Sequence, residues 1–531
     1  MSSNVSSADP RDGNGPLPRQ IPYIIANEGC ERFSFYGMRN ILTPFLLSTL
    51  LLFIPAEHRT SEAKHVFHTF VIGVYFFPLL GGWLADRYFG KYNTVFWFSL
   101  IYVAGHACLA IFEHDINGFY VGLALIAFGS GGIKPLVVAF VGDQFDQTNK
   151  NRAKLVFDAF YWIINFGSFF ASLLMPVLLR DYGPSVAFGV PGILMALATL
   201  VFWLGRRKYV HVPPAAPNPE SFSSVARTAL LAHGAGQGRP GLVVAGLGAA
   251  AAVLALLVIP FYSGFVIAFC TALLLLLAFG CLGVSMQLDR ARGTHTQEAV
   301  EGVRSVLRIL IVFALITPFW SLFDQKASTW IVQANAMHSP QLSLFGWDFT
   351  LLPAQMQAIN PILVMLLIPF NNIALFPLLR ALGVTPTPLR RMGAGIALSG
   401  LAWIAVGAIQ LSMDGGDRVS IFWQLLPYVL LTLGEVLVSA TGLEFAYSQA
   451  PKQMKGIILS FWYLGVTMGN LWVLIVNEGV KNEAVGAHIA STGLSQSAFQ
   501  MFFFAAFALV CAGLFALYAT RYKMVDNYRK V

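Results

Sequence analysis

Five polar side chains crowd one stripe of an otherwise apolar segment near the start of the chain: Glu28, Glu31, Arg32, Tyr36 and Arg39. At about 100° per residue they fall within a sector of roughly 140° of a helix. A charged side chain at the centre of a bilayer costs roughly 2.5 to 3.5 kcal/mol on insertion scales, so an ionisable residue there is read first as functional. A stripe of this kind must face a polar cavity, where charge is bound or moved. The plainer alternative is that Glu28 sits near the interface and Arg39 snorkels to the far side, which concerns the outermost members only.

Other residues invite the same question. His68 and Tyr75 are seven apart and share a helix face, which makes His68 a candidate for proton handling beside the plainer reading of a satisfied structural histidine. Lys134 lies in GSGGIKPLVVAF, where Gly131 and Gly132 permit close helix approach and Pro135 bends the helix. The phosphate-loop spacing G-x-x-x-x-G-K-[ST] is absent there. A lysine inside a membrane span needs a carboxylate, and Glu31 in the same half or Glu435 in the other are the candidates. Trp320 and Asp324 are four apart, as are Glu435 and Ser439, and Tyr161 and Asn165, so each pair projects from one helix face. Trp462 in LSFWYL adds an indole, although aromatics in membrane helices are most often packing or interface anchors. No catalytic spacing of nucleophile, base and orienter occurs, and no cofactor motif. The five cysteines show neither metal nor disulfide spacing. The chain is therefore read as a non-enzyme with no catalytic residue, metal or cofactor.

The elements that carry these residues follow from composition. Hydrophobic residues make up 56% and charged residues 11%, against roughly 25% charged in a soluble domain. Apolar runs near the 20 residues needed for a crossing recur along nearly the whole chain, which predicts an all-α membrane protein. The runs are read at 21–53, 66–86, 94–112, 118–143, 154–180, 187–206, 241–260, 262–285, 305–335, 353–376, 391–412, 421–449, 455–477 and 499–521. Basic residues alternate between connections. Arg87 with Lys91, Lys150 with Arg152, Arg206 to Lys208, Arg290 with Arg292, Arg390 with Arg391, and Lys452 with Lys455 mark one side, whereas 329–378 holds neither Lys nor Arg on the other. Both termini are thus expected in the cytoplasm. The formal charge of +8 is a loop bias of this kind and gives no reason to expect nucleic acid.

The run EGCERFSFYGMRNIL fits the ExxERF(S/x)YYG signature of the proton-coupled oligopeptide transporter family, with Glu28, Glu31 and Arg32 on its defining positions. GSGGIKPLVVAFVGDQF resembles the family's fourth-helix signature. FYWIINFGS, FWSLFDQKASTW, GEVLVSATGLEFAYSQAPKQMKG and LSFWYL extend the likeness, and GGWLADRYFGKYNT is similar to the loop motif of the wider major facilitator superfamily. The resemblance covers nearly the whole chain.

It implies a two-bundle major facilitator fold of 6+6 transmembrane helices plus an inserted two-helix hairpin, fourteen in all. The expected parts are a disordered tail at 1–20, an N-terminal bundle at 21–206, a cytoplasmic linker at 207–240, the hairpin at 241–285, a C-terminal bundle at 286–521 and a tail at 522–531. The implied activity is import of di- and tripeptides with protons by alternating access across a bacterial inner membrane; the partners are peptide, proton and bilayer, and the chain is expected to work as a monomer. By position, Arg32 and Lys134 would meet the peptide carboxylate, Glu435 its amino end with Asn165 and Asn360 nearby, and Tyr36, Tyr75, Tyr161, Trp320 and Trp462 would shape side-chain pockets, with Ser439 beside Glu435. Asp324 would pair with Arg39 and carry the coupling proton, with Glu28 and Glu31 beside Arg32 as a second proton site and His68 as a third.

Three positions depart from the signature. Phe35 replaces a tyrosine, so one hydroxyl contact is missing. Phe323 stands where some members carry a further Glu. Lys326 adds a positive charge two residues from Asp324, and it is expected to point to solvent rather than to act on the acid. Two rivals remain: another small cargo such as an anion or a modified amino acid on the same fold, which the carboxylate of Glu435 disfavours for anions, and a non-transporting nutrient sensor.

Overall fold

The computed structural model describes residues 15–146, 148–149, 152–214, 218–233, 238–344, 347–449 and 454–522. Residues 1–14 and 523–531 of the two expected tails, and Lys150 and Lys452, lie outside the described residues. In chain order the helices are α1 (Ile21–Phe45), α2 (Ala56–Leu84), α3 (Gly90–Ile111), α4 (Ile116–Gly131), α5 (Lys134–Asp143), α6 (Ala153–Tyr182), α7 (Pro184–Leu204), α8 (Phe222–Leu231), α9 (Pro240–Val258), α10 (Pro260–Ser263), α11 (Phe265–Gln287), α12 (Gln297–Phe323) and α13 (Thr329–Ala336). After the strands β1 (Gln341–Leu344) and β2 (Trp347–Thr350) come α14 (Ile359–Phe370), α15 (Phe376–Ala381), α16 (Pro388–Asp414), α17 (Leu425–Gln449), α18 (Lys455–Gly479), α19 (Glu483–Ser491) and α20 (Gln496–Arg521).

Among the described residues, twelve helical stretches are long and apolar enough to cross a bilayer. One of them, Ala56–Ile111, runs for 56 residues, roughly 80 Å of helix, far beyond the ~30 Å of a hydrocarbon core. It contains α2 and α3, joined by a π-helical turn at Ala85–Phe89. Helix α1 is not among the twelve, because the charged stripe that singles it out also lowers its hydropathy.

The expectation of an all-α chain needs one amendment. β1 and β2 pair antiparallel, Gln341 opposite Thr350 and Leu344 opposite Trp347. QLSL alternates polar and apolar residues with period two, over too few residues to register in a search for apolar runs. Two expected starts also move. α2 begins at Ala56 rather than 66, since Glu57, His58, Arg59, Glu62 and Lys64 are helical without being apolar. α12 begins at Gln297 rather than 305, where the Thr296 side chain accepts from the Ala299 amide and caps the helix. The linker contains α8, capped by Ser221 and buried along Val225, Ala226 and Ala229.

The described residues form two compact units, those within 1–63, 73–216 and 341–366 in the first, and those within 64–72, 217–340 and 367–531 in the second. In the first, α1 packs on α6 and α7, and α3 on α4 and α7. In the second, α16 packs on α17 and α20, α12 on α18, and α9 on α11.

Glycines set the closest approaches. A Cβ on Gly81 would lie 2.2 Å from the Gly131 carbonyl oxygen, and one on Gly131 would lie 2.6 Å from the Phe77 backbone. Backbone cannot yield as a flexible side chain can, so overpacking here costs at least the usual 1–3 kcal/mol, roughly. Gly131→Val is expected to lower the thermal unfolding midpoint of the detergent-purified protein by several degrees. Gly82→Ala is expected to leave it unchanged, because nothing lies within 4 Å of that Cβ.

Candidate functional site

In the first unit the α1 stripe is a buried ion cluster. Arg32 Nε donates to Glu28 Oε1 at 2.6 Å and lies 3.1 Å from Glu31 Oε2. Both carboxylates are fully buried and the arginine nearly so. The i, i+4 spacing of Glu28 and Arg32 puts them one above the other on the helix. One guanidinium cannot balance two carboxylates, and Lys134 supplies the second positive charge, acting electrostatically on Glu28. Two acids and two bases in a desolvated place make a cluster whose balance changes with any proton or charged ligand that enters.

Lys134 opens α5 directly after the Gly132–Ile133 break, with Pro135 in the first turn. At the break Gly132 lies against Phe98 with no room for a Cβ, so the position demands glycine. Lys134 Nζ lies 3.6 Å above the Phe35 ring centre and 4.7 Å from that of Tyr75. Phe35, expected only as a lost hydroxyl, therefore gives the lysine a π face. Helix α1 is held in register from behind. Ser34 Oγ donates to the Pro191 carbonyl at 2.7 Å, so it accepts from His106 Nε2 at 2.9 Å, tying α1 to α3 and α7. Tyr36 is half-buried and Arg39 buried on the same helix. On α6, Asn165 Nδ2 donates to the Tyr161 carbonyl at 3.0 Å, and the Tyr161 ring is exposed. Asn360, placed by sequence in the C-terminal bundle, belongs to the first unit, half-buried at the start of α14. Just ahead of it, Gln357 Nε2 donates to the Asn40 carbonyl at 3.1 Å.

The second unit holds the other half of the expected set. The Trp320 and Trp462 rings meet edge to face with centres 5.7 Å apart, and Phe313 meets Trp462 at 5.3 Å. A Cβ on Gly442 would lie 2.5 Å from Trp462, so glycine makes room for the indole. Glu435 and Ser439 are half-buried on α17, next to the point where Gly434 and Gly395 let α17 and α16 touch backbone to backbone.

His68 lies in the second unit, unlike Tyr75, although the two share a helix face by spacing. It is fully buried, and Asp324 nearly so. Asn470 Nδ2 donates to Asp324 Oδ2 at 2.8 Å and to the Val466 carbonyl at 3.0 Å. Its Oδ1 must then accept, so His68 Nδ1, 2.6 Å away, carries a hydrogen. His68 Nε2 lies 2.9 Å from Ser328 Oγ. That hydroxyl donates to a neutral imidazole, or accepts from a charged one and turns its own hydrogen toward the Gln325 carbonyl 3.5 Å away. The pocket thus fits both protonation states of His68 and links them through one amide to Asp324. Asn470 and Ser328 were missed by sequence reasoning. The signal for Asn470 was present, since it is an amide inside the apolar run 455–477, the same criterion that picked out His68.

Lys326 does not point to solvent as expected. It is 5% exposed, with Nζ 3.4 Å above the Phe323 ring centre. Phe323, where a further acid was one family option, provides the surface that lets a lysine stay inside.

Asn470→Leu removes the amide between His68 and Asp324 at similar size. Hydrogen bonds to charged groups contribute about 1.5–3 kcal/mol. Losing this bond should lower the thermal unfolding midpoint of the detergent-purified protein measurably. A thermal melt of the variant beside the wild-type protein checks this, and an unchanged midpoint would mean that the Asn470 amide does not hold these helices together.

The sequence comparisons agree with the residues. The model described as POT family matches residues 92–489. The chain is 30% identical over 486 residues to peptide transporter 3 of Caenorhabditis elegans, covering 88% of this chain and 60% of that one. It is 31% identical over 427 residues to solute carrier family 15 member 2 of Homo sapiens, covering 75% and 49%. The chain therefore spans between about half and 60% of the length of these curated relatives. Among solved structures, it matches that of an auto-inhibited POT family peptide transporter with 64% identity and a TM-score of 0.93, over 97% of this chain and 99% of that one. The in meso crystal structure of the POT family transporter PepTSo matches with 63% identity and a TM-score of 0.93, over 97% and 100%. The fold is that of the major facilitator type these transporters share, and the chain belongs to the POT family.

Proposed function

We propose that this chain is a proton-coupled importer of di- and tripeptides that works by alternating access. The observation that carries the reading is the buried cluster of Glu28, Glu31, Arg32 and Lys134 on membrane helices. Such a cluster is expensive unless something pairs with it during the working cycle. A peptide carboxylate meets Arg32 and Lys134, Glu435 meets the peptide's amino end, and Asn165 and Asn360 add amides. Tyr36, Tyr75, Tyr161, Trp320 and Trp462 line the space for side chains, with Ser439 beside Glu435. Recognition through the two ends and not through the side chains would permit peptides of many sequences. The solved POT structures described as peptide transporters support this cargo.

Asp324 is the coupling acid in this proposal and Arg39 its partner in the closed state. His68 and the Glu28–Glu31 pair are the further proton sites. Dividing the 56-residue run into α2 and α3 and adding α1 gives fourteen crossings with both termini inside. We place the chain in a bacterial inner membrane, acting as a monomer with its N- and C-terminal bundles joined by the linker and the α9–α11 hairpin.

The test is counterflow in proteoliposomes, with labelled dialanine competed by unlabelled dialanine or by its N-acetylated form. Blocking the amino group should weaken competition at least about tenfold, as should Glu435→Gln against free dialanine, because a buried charge then goes unpaired. Equal competition by the two forms in the wild-type protein would rule out the assigned amino-end site.

A further inference from the structure

A crevice of about 930 Å³ opens on the first unit between α1 and α6, with Leu194 of α7 also in its lining. Its floor is the seam where the two helices meet, with a Cβ on Gly29 only 2.9 Å from the Ile163 side chain and one on Gly167 only 3.1 Å from the Gly29 carbonyl oxygen, and the Phe33, Phe166 and Phe170 rings line it further along. On α6 it occupies the face about 180° away from Tyr161 and Asn165, so it is separate from the proposed peptide site. Phe166, Phe170 and Leu174 are more than a third exposed on that face.

We propose that this crevice binds an anionic phospholipid, with one acyl chain lying along the groove over the α1–α6 seam and the phosphate at Arg19. Three observations choose this occupant. The lining is almost wholly apolar over a stretch of helix meant to lie in hydrocarbon, so water has no partners there. From Ile21 to Phe33 the α1 side is roughly 18 Å long, close to the ~15 Å of one leaflet's hydrocarbon. The one ionisable residue besides Cys30 in the lining is Arg19, at the mouth, exposed and without an ion-pair partner among the described residues. Arg152 stands at the same end, three residues ahead of the lining residue Leu155. There Gly15 N donates to the Thr148 carbonyl at 2.7 Å, fixing the start of the α1 segment beside the start of α6. Basic residues at the end of an interhelical apolar pocket are the arrangement that holds lipid phosphates. The lipid would lie along Gly29 and Phe33, the immediate neighbours of Glu28 and Arg32, and would brace the helix that carries the ion cluster.

The experiment is native mass spectrometry of the full chain released from nanodiscs made of equimolar phosphatidylglycerol and phosphatidylethanolamine. The wild-type protein should retain phosphatidylglycerol in preference. Arg19→Gln, an exposed position that leaves folding alone, should cut that preference roughly fivefold. Ala159→Trp should displace the retained lipid of either kind. Equal retention of the two lipids by the wild-type protein, or a preference unchanged in Arg19→Gln, overturns the headgroup assignment. Lipid retention unchanged in a folded Ala159→Trp protein, or a change of oligomeric state in its place, overturns the crevice as a lipid site.

Discussion

Proteoliposomes containing the Asp324→Asn variant are expected to exchange peptide for peptide at close to the wild-type rate and to accumulate none against a gradient. The amide matches the carboxylate in size and keeps an oxygen to accept from Asn470 Nδ2, which now lies 2.8 Å from Asp324 Oδ2. What it loses is the charge that a proton neutralises. A coupling acid works by making two conformations differ in stability according to whether it is charged, and a permanently neutral group removes that difference. One pH unit is worth 1.36 kcal/mol per proton, so coupling to one proton permits about tenfold accumulation. The variant should show a ratio near one. Proton-driven accumulation intact in Asp324→Asn would move the coupling role to His68 or to the Glu28–Glu31 pair.

Arg32→Met should have the second large effect, and on two quantities at once. Glu28 and Glu31 are fully buried and share this one guanidinium at 2.6 and 3.1 Å. Removing one partner of a buried ion pair costs roughly 3–5 kcal/mol, because the remaining charge stays buried. Thermal stability in detergent should drop sharply and peptide uptake should vanish. The double variant Arg32→Met with Glu28→Gln separates the causes. It leaves one carboxylate, with Lys134 for balance, and should recover much of the stability. Transport should not return, since the peptide carboxylate still lacks its guanidinium. Recovery of both together would mean that Arg32 only holds the fold.

Sequence is most informative where one helix carries the whole geometry. Four-residue spacing on a single helix carries its own geometry, so the contact of Glu28 with Arg32 and the amide of Asn165 against its own helix at Tyr161 follow from period alone. The resemblance assigned Trp320 and Trp462 to side-chain pockets, but their meeting needs two helices to pack, which spacing along either helix does not show. Asn470 illustrates the limit. Its place in an apolar run was visible, but its role as the link between α2 and α12 depends on which helices touch. The burial of Lys326 turned on its neighbour, since the Phe323 ring makes an inside position tolerable for a charge that would otherwise seek water. The β1–β2 hairpin and the polar start of α2 were lost for a different reason, because a search for long apolar runs sees neither period-two alternation nor polar helix.

Proton-coupled peptide import is tested most directly by uptake of labelled dialanine into proteoliposomes of the wild-type protein, with an inward proton gradient imposed and then collapsed by an ionophore. Accumulation that depends on the gradient and disappears with it is the predicted result. Uptake that merely equilibrates and ignores the ionophore would contradict proton coupling, and no dialanine uptake under either condition would contradict the cargo.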